Sequence, residues 1–259
     1  MSWDPALYLS FGDHRTRPAA DLLARVPLNS VPLKEPARII DLGCGPGNST
    51  ALLAARRPKA ALTGMDNAEA MLAAARASGV AADWLLADLT SWRAHAAYNL
   101  IFANATLQWL GDQENLLPRL MGFVAAGGGF AFQVPVNTDA PSHALMREVA
   151  ADPRWKEKLA NVREIQRGTP LRYYDILKPH AAALDIWQTE YLHVLDGEDA
   201  AYHWVSATGL RPFVQALDGS AREDFIAAFK EKLRAAYPRR ADGTTLFAFQ
   251  RLFVVALKA

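Results

Sequence analysis

The stretch Arg38-Ile39-Ile40-Asp41-Leu42-Gly43-Cys44-Gly45-Pro46-Gly47-Asn48-Ser49-Thr50 decides the fold. Ile39, Ile40 and Leu42 make the short apolar run of a parallel strand covered on both faces. Gly43, Gly45 and Gly47 remove three side chains from the five-residue turn that follows, so a ligand can approach the backbone closely. Asn48 or Ser49 is placed to cap the next helix, which runs to Arg56 and stops before Pro58. A strand that feeds a helix through such a turn binds its ligand beyond the carboxyl end of the strand.

Working outward, residues 38–134 alternate between the two periods. Strands are expected at 38–42, 61–65, 83–87, 98–103 and 129–134, and helices at 49–56, 68–77 and 113–125. That alternation predicts an α/β fold, a parallel sheet with helices on both faces. Gly127-Gly128-Gly129 reads as the turn into the fifth strand. Ahead of this core an amphipathic helix is expected from Pro18 to Arg25, with Pro18 in its first turn, and Pro27, Pro32 and Pro36 mark a linker. Beyond Pro135 the pattern changes to a helix at 141–151, a mixed-charge stretch at 152–171, a helix at 173–184 and a strand at 186–195. About 45 mostly helical residues follow, through Ala241, and a last strand runs from Leu246 to Leu257.

The composition of the 259 residues is that of a globular chain, 51% hydrophobic and 21% charged. A net charge of +1 supplies no basic field for nucleic acid. No apolar run reaches the length of a membrane span and no basic-then-apolar leader opens the chain, so a cytoplasmic protein is expected. The lone Cys44 excludes an internal disulfide and reads as a small packed residue. The six histidines show no metal-ligand spacing, and no metal is assigned.

The glycine turn does not fit the dinucleotide fingerprint, because Asn48 stands where its third glycine belongs, and no Gly-Lys-Ser/Thr follows to make a phosphate loop. What remains, Asp41-x-Gly43-x-Gly45-x-Gly47, resembles the first motif of the class I methyltransferases that use S-adenosylmethionine. Three later stretches sit where that resemblance needs them. Leu62 to Asp66 is a second strand ending in an acid that can accept from both ribose hydroxyls, or cap the helix that follows. Trp84 to Leu89 is a third strand with Asp88 just past its end. By resemblance Asp88 would accept from the adenine amino group while Leu89 packs near the ring; a plain loop aspartate is the alternative. Asn99 to Leu110 is a buried strand that breaks into polar residues at Asn104, and in this class that strand end borders the methyl group and its acceptor. The resemblance thus implies a Rossmann-like, seven-stranded sheet with S-adenosylmethionine as cofactor. Asp41, Gly43, Gly45, Gly47, Asn48, Asp66, Asn67, Met71, Asp88, Leu89, Asn104 and Ala105 would line its site.

Further stretches narrow the resemblance. Leu22 to Pro27, Asp41 to Leu53, Leu100 to Leu110, His143 to Ala150, Tyr173 to Leu177, Asp185 to Trp187 and Trp204 to Pro212 resemble the trans-aconitate 2-methyltransferase family. The implied organisation is one methyltransferase domain over 1–259, with a core at 36–136 joined by late strands at 184–195 and 245–258. Helical cap segments would lie at 1–25, 137–183 and 196–242. The implied reaction methylates one carboxylate of a tricarboxylic acid, giving a monomethyl ester and S-adenosylhomocysteine. A carboxylate is already anionic at neutral pH, so no general base and no catalytic dyad is expected, only positioning.

An acceptor with three carboxylates calls for arginines, whose planar forks engage carboxylates with two hydrogen bonds. Arg15, Arg17, Arg172 and Arg211 are candidates, each with a solvated surface arginine as the alternative; Arg211, between Leu210 and Pro212 in a segment with Trp204 and Phe213, is the first choice. Tyr173 and Tyr174 are candidate donors, one of which could only pack against the core, and Trp109 lines the pocket or fills the core. Trp204 accompanies Arg211, while Tyr8 and Phe11 close over the cofactor or anchor the amino-terminal segment. The competing functions are a methyltransferase for another acid, such as the free carboxyl of a malonyl thioester, and a non-enzymatic protein that binds S-adenosylmethionine. No protein, nucleic-acid or membrane partner is inferred.

Overall fold

Ile39 and Ile40 are adjacent in a strand, so their side chains leave on opposite faces, and both are fully buried. The sheet that contains them is therefore covered on both sides, as the continuous apolar run requires. The computed structural model describes residues 12–27, 37–162, 165 and 168–259. Among these, in chain order, lie α1 (Gly12–Arg25), β1 (Arg38–Leu42), α2 (Asn48–Arg56), β2 (Ala61–Asp66), α3 (Glu69–Ala77), β3 (Asp83–Leu86), β4 (Tyr98–Asn104), α4 (Gln113–Gly122) and β5 (Val124–Pro135). Then follow α5 (Pro141–Ala150), α6 (Lys156–Leu159), α7 (Pro170–Leu177), β6 (Ala183–Asp196), α8 (Ala200–Ser206), α9 (Arg211–Gln215), α10 (Gly219–Ala236) and β7 (Thr244–Leu257).

The strands form a seven-stranded sheet in the order β3-β2-β1-β4-β5-β7-β6. β1 pairs in parallel with β2 and with β4, β2 with β3, and β4 with β5, whereas β7 lies antiparallel to β5. The chain runs outward from β1 to β3 and then returns to β4 on the other side of β1. The carboxyl ends of β1 and β4 thus flank a topological switch point, where open α/β sheets bind their ligands. This is the Rossmann-like, seven-stranded sheet expected from the sequence.

The chain divides into two compact units. Unit 1 holds the residues up to Pro135, 168–189 and 251–259, and its core is aromatic. Phe132 meets Tyr173 edge to face at 5.1 Å, and Trp187 stacks on Phe253 at 4.8 Å. Arg25, in the last turn of α1, lies 5.0 Å from the centre of the Trp187 ring and bonds Asp185 at 3.3 Å. Unit 2 holds 136–167 and 190–250. There Trp155 meets Phe225 edge to face at 5.4 Å, and Trp204 lies 4.4 Å from the His193 ring among Phe247 and Phe249.

Several local expectations change. Pro18 lies inside α1, not in its first turn. α2 begins at Asn48, and its cap is Gly47 in the left-handed region at φ 95°, because the Ser49 hydroxyl is turned inward to Asp41. The helix expected at 173–184 ends at Leu177; Pro179 follows in a 3-10 turn, and β6 is already under way at Ala183. Gly127 to Gly129 lie within β5. Tyr98 pairs with Val124 and Leu100 with Gly129, so β5 carries a wide irregularity at this point. A side chain on Gly128 would meet the Asn99 and Ala125 carbonyl oxygens at 2.8 and 2.9 Å, which is why glycine stands there. The linker of Pro32 and Pro36, together with Tyr8 and Phe11, lies outside the described residues.

Asp41 fastens β1 to α2. It is fully buried, and its Oδ2 accepts from the hydroxyls of Ser49 and Thr50, both at 2.7 Å. Burial pushes its carboxyl up to about 6, outweighing those two donors, and the nearby Asp66 adds in the same direction.

Two outcomes are expected. Gly128→Ala forces backbone apart and should destabilise the fold by ~1–3 kcal/mol, read as a lower urea midpoint at unchanged slope. For Asp41, the unfolded chain titrates near the ordinary 3.8 and the folded chain near 6, so the folded state holds an extra proton between them. The stabilisation from that proton is complete below about pH 4 and is lost as pH rises through 6. Asp41→Asn does not titrate, so its stability relative to the parent should rise between pH 4 and pH 7, by up to roughly 3 kcal/mol. A difference that stays constant with pH would refute the assignment.

Candidate functional site

The site grows from the turn between β1 and α2. Gly43, Gly45 and Gly47 adopt φ of 67°, 55° and 95°, a region that costs glycine nothing. The Gly43 and Cys44 N–H groups donate to the Met65 carbonyl at 2.7 and 3.0 Å, which holds the turn against the end of β2. Each glycine faces something different. A side chain on Gly43 would collide with the Thr106 side chain, one on Gly47 would touch the Trp84 ring at 3.2 Å, and one on Gly45 would meet nothing within 4 Å. Gly45 thus opens onto free space over the turn, while its neighbours are glycine for packing. Burial keeps the Cys44 thiol protonated, and it serves as a packed residue.

Asp66 ends β2 and is bonded on both oxygens. Oδ2 accepts from the Gly45 N–H and Oδ1 from the Ala68 N–H, each at 2.9 Å. Desolvation raises its pKa, opposed by those N–H donors and that of Asn67. Asp66 thus holds the segment into α3 and reaches across to the glycine turn, whereas the cap of α3 itself is Ala68, with no side-chain bond. Each carboxylate oxygen has a further lone pair with which to accept from a diol. Asn67 is exposed beside it, and Met71 is buried on α3.

Past β3, exposed Asp88 accepts from the Thr90 N–H and hydroxyl at 2.8 and 2.7 Å. Leu89 is buried, and Arg119 on α4 donates to the Leu89 and Trp92 carbonyls at 2.9 and 2.7 Å. At the end of β4 the polar break is a held kink. Ala105 takes the left-handed region at φ 53°, unusual for alanine. Its N–H donates to the Gln133 carbonyl at 3.0 Å, and its carbonyl accepts from Gln108 Nε2 at 2.6 Å. Thr106 then donates from its hydroxyl to the Gly43 and Asn104 carbonyls, both at 3.3 Å. The structure brings Asp41, Gly43, Gly45, Gly47, Asp66, Asn104 and Ala105 to one end of the sheet. Asn48 turns its amide to Thr16 of α1 at 3.3 Å.

The substrate candidates separate. Arg15 is buried, on the same helix as Thr16, whereas Arg17 is exposed and lies 4.0 Å from Asp21. The Arg172 fork is engaged by Glu114, with Nε at 3.0 Å and Nη2 at 2.8 Å from one oxygen. Tyr173 is wholly buried with its hydroxyl pushed up to about 12 by burial, while Tyr174 is half exposed. Trp109 is half-buried and closes a 3-10 turn whose Leu107 carbonyl accepts from Gln113 at 2.8 Å. In unit 2, Trp204 sits inside the aromatic core and Arg211 opens α9. Sequence reading passed over Thr106, Trp84, Arg119, Gln133 and Arg251. Arg251 is a buried arginine on β7, and only its place among apolar strand residues, Leu252 to Leu257, signals it.

The residues present fit S-adenosylmethionine. Gly45 leaves room where a side chain would stand, Asp66 offers acceptors for a ribose, and Asp41 Oδ1 is a buried oxygen without a hydrogen-bond donor among the described residues. Among the described residues no cluster of His, Cys, Asp and Glu could hold a metal ion. No helix among them is long and apolar enough to cross a membrane. A cavity of about 280 Å³ in unit 2, beside Asp199, Tyr202 and Arg234, is lined by none of the residues singled out from the sequence.

A family model described as a methyltransferase domain matches residues 39–128. Among solved structures the chain is similar to the YcgJ protein of Bacillus subtilis, at 11% identity and a TM-score of 0.57 over 93% of this chain and 98% of that one. It is similar also to a Haemonchus contortus phosphoethanolamine N-methyltransferase 2 in complex with S-adenosyl-L-methionine. That likeness has 14% identity and a TM-score of 0.54 over 94% of this chain and 53% of that one. Among curated proteins, the trans-aconitate 2-methyltransferase of Methylobacterium radiotolerans is 49% identical over 99% of this chain and 98% of its own length. That of Azoarcus sp. strain BH72 is 47% identical over 99% of each. A likeness of this depth extends well past the glycine turn and the matched domain, through both units, and the chain belongs to the trans-aconitate 2-methyltransferase family.

Proposed function

We propose that the chain methylates one carboxylate of trans-aconitate from S-adenosylmethionine, giving the monomethyl ester and S-adenosylhomocysteine. One observation carries this reading: relatives named for that reaction are 44–49% identical over nearly the whole chain, including unit 2. A likeness confined to the glycine turn would speak only for the cofactor. S-adenosylmethionine, when bound, supplies a methyl group activated by its sulfonium charge.

Everything else falls to the chain. Asp66 accepts from the ribose while tying the Gly45 N–H, so cofactor affinity and turn geometry depend on one carboxylate. The glycine turn admits the cofactor to the backbone, Met71 and Leu89 supply apolar walls, and Asp88 offers an acceptor for the adenine amino group. Asn104 and Ala105 stand at the reacting end. The acceptor oxygen arrives already ionised, so no residue has to remove a proton, and the rate rests on holding that oxygen in line and on keeping water away. Arg15 is a buried guanidinium beside the helix of the glycine turn and suits one of the distal carboxylates. The chain is read as one methyltransferase domain that acts in the cytoplasm on a small molecule without a protein partner.

The first measurement is transfer from labelled S-adenosylmethionine to a panel of trans-aconitate, cis-aconitate, isocitrate, citrate and a malonyl thioester. Saturable transfer that prefers trans-aconitate is expected, and transfer to the thioester alone would overturn the substrate. Asp66→Ala should weaken binding of S-adenosylhomocysteine by ~1–3 kcal/mol in calorimetry. An unaltered affinity would remove Asp66 from the cofactor site.

A further inference from the structure

Three residues far apart in sequence make one polar line across the sheet, buried at Arg251 and Gln133 and half-buried at Asn104. Arg251 on β7 is 5% exposed, and its Nη1 donates to Gln133 Oε1 at 3.1 Å. Gln133 on β5 is fully buried and donates from Nε2 to Asn104 Oδ1. The direction of this line is fixed at one end. A guanidinium has donors and no acceptor, so Gln133 must turn its oxygen to Arg251 and its NH2 to Asn104. Asn104 must then turn its own oxygen inward. What is left at the carboxyl end of β4 is the Asn104 NH2, with two donors that no acceptor among the described residues receives. These donors stand beside the kink at Ala105 and next to Thr106, which packs on the glycine turn.

We propose that the Asn104 NH2 binds the carboxylate that becomes methylated, and that Gln133 and Arg251 are positioning residues that fix its polarity. The inference rests on the carboxylate-methylating reading above. A neutral donor suits this place. The reacting carboxylate loses its charge as the methyl group arrives, so a full cation in contact with it would favour the starting anion over the transition state. Here the charge of Arg251 is held one residue away, behind the Gln133 amide. One acceptor oxygen can take the Asn104 hydrogen bond while the other stays open to methylation.

Three substitutions test it, with kcat and KM for trans-aconitate at saturating cofactor, S-adenosylhomocysteine affinity by calorimetry, and thermal melting. Asn104→Ala removes the donors and should lower kcat/KM about tenfold or more. Asn104→Asp keeps the shape and the bond from Gln133 but presents an anionic oxygen to the acceptor, so it should fall about a further tenfold. Gln133→Glu keeps its hold on Arg251 but cannot donate to Asn104, which must then turn its NH2 inward and its oxygen outward. This variant should raise KM while melting no lower than the parent and binding S-adenosylhomocysteine as tightly. Asn104→Asp no worse than Asn104→Ala would overturn the proposal. So would a Gln133→Glu enzyme with parental kcat/KM, or losses of activity matched by equal losses of S-adenosylhomocysteine affinity. A parent enzyme that methylates no acid in the panel would overturn the functional reading and this inference with it; an active parent with any of those variant patterns overturns the inference alone.

Discussion

A carboxylate with no access to water governs this fold. Asp41 stands at the end of β1 and receives the hydroxyls of Ser49 and Thr50 from the first turn of α2. With strand and helix joined so closely, the five residues between them have little choice of path, and three must be glycine at positive φ. That path in turn delivers the Gly45 N–H to Asp66 and the face of Gly43 to Thr106. One buried group thereby sets the geometry of three strand ends. Its cost is desolvation, which two neutral hydroxyls offset only in part. The fold tolerates that cost where the ligand needs a rigid turn.

What was legible in the sequence is what is local. The apolar run at 39–42, the glycines after it and the acid at 66 announce a strand, a turn and a second strand's end within thirty residues, and the structure bonds that acid to the turn. Where the reading failed, the cause lies in another part of the chain. Gly127 to Gly129 looked like a turn because three glycines usually make one, yet Gly128 answers to the Asn99 carbonyl of the adjacent strand. Ser49 looked like a helix cap, but a buried acid eight residues earlier claimed its hydroxyl.

The arginines make the same point about binding. Composition and position nominated Arg15, Arg17, Arg172 and Arg211, with Arg211 foremost for its apolar neighbours Leu210, Pro212 and Phe213. Burial then separated Arg15 from exposed Arg17, and Glu114, 58 residues away, engages Arg172. Arg251 escaped notice because an isolated arginine in a strand reads as an outward-facing residue, and its partner Gln133 is 118 residues distant. The polar line they form has a direction that no local pattern encodes.

The place of β7 in the sheet bears on how the chain is made. β7 is last in sequence but not at an edge; it lies between β5 and β6. Among the described residues no other strand neighbours β6, so on the ribosome it waits, without that partner, for the residues from 244 onward. At ordinary translation rates that wait is roughly 3–10 s. Through it β6 carries Leu192 and Val194, exposed even in the finished fold, on a strand with open hydrogen-bonding groups. Crowding, temperature and chaperone supply during synthesis therefore bear on how much of the chain reaches the finished fold.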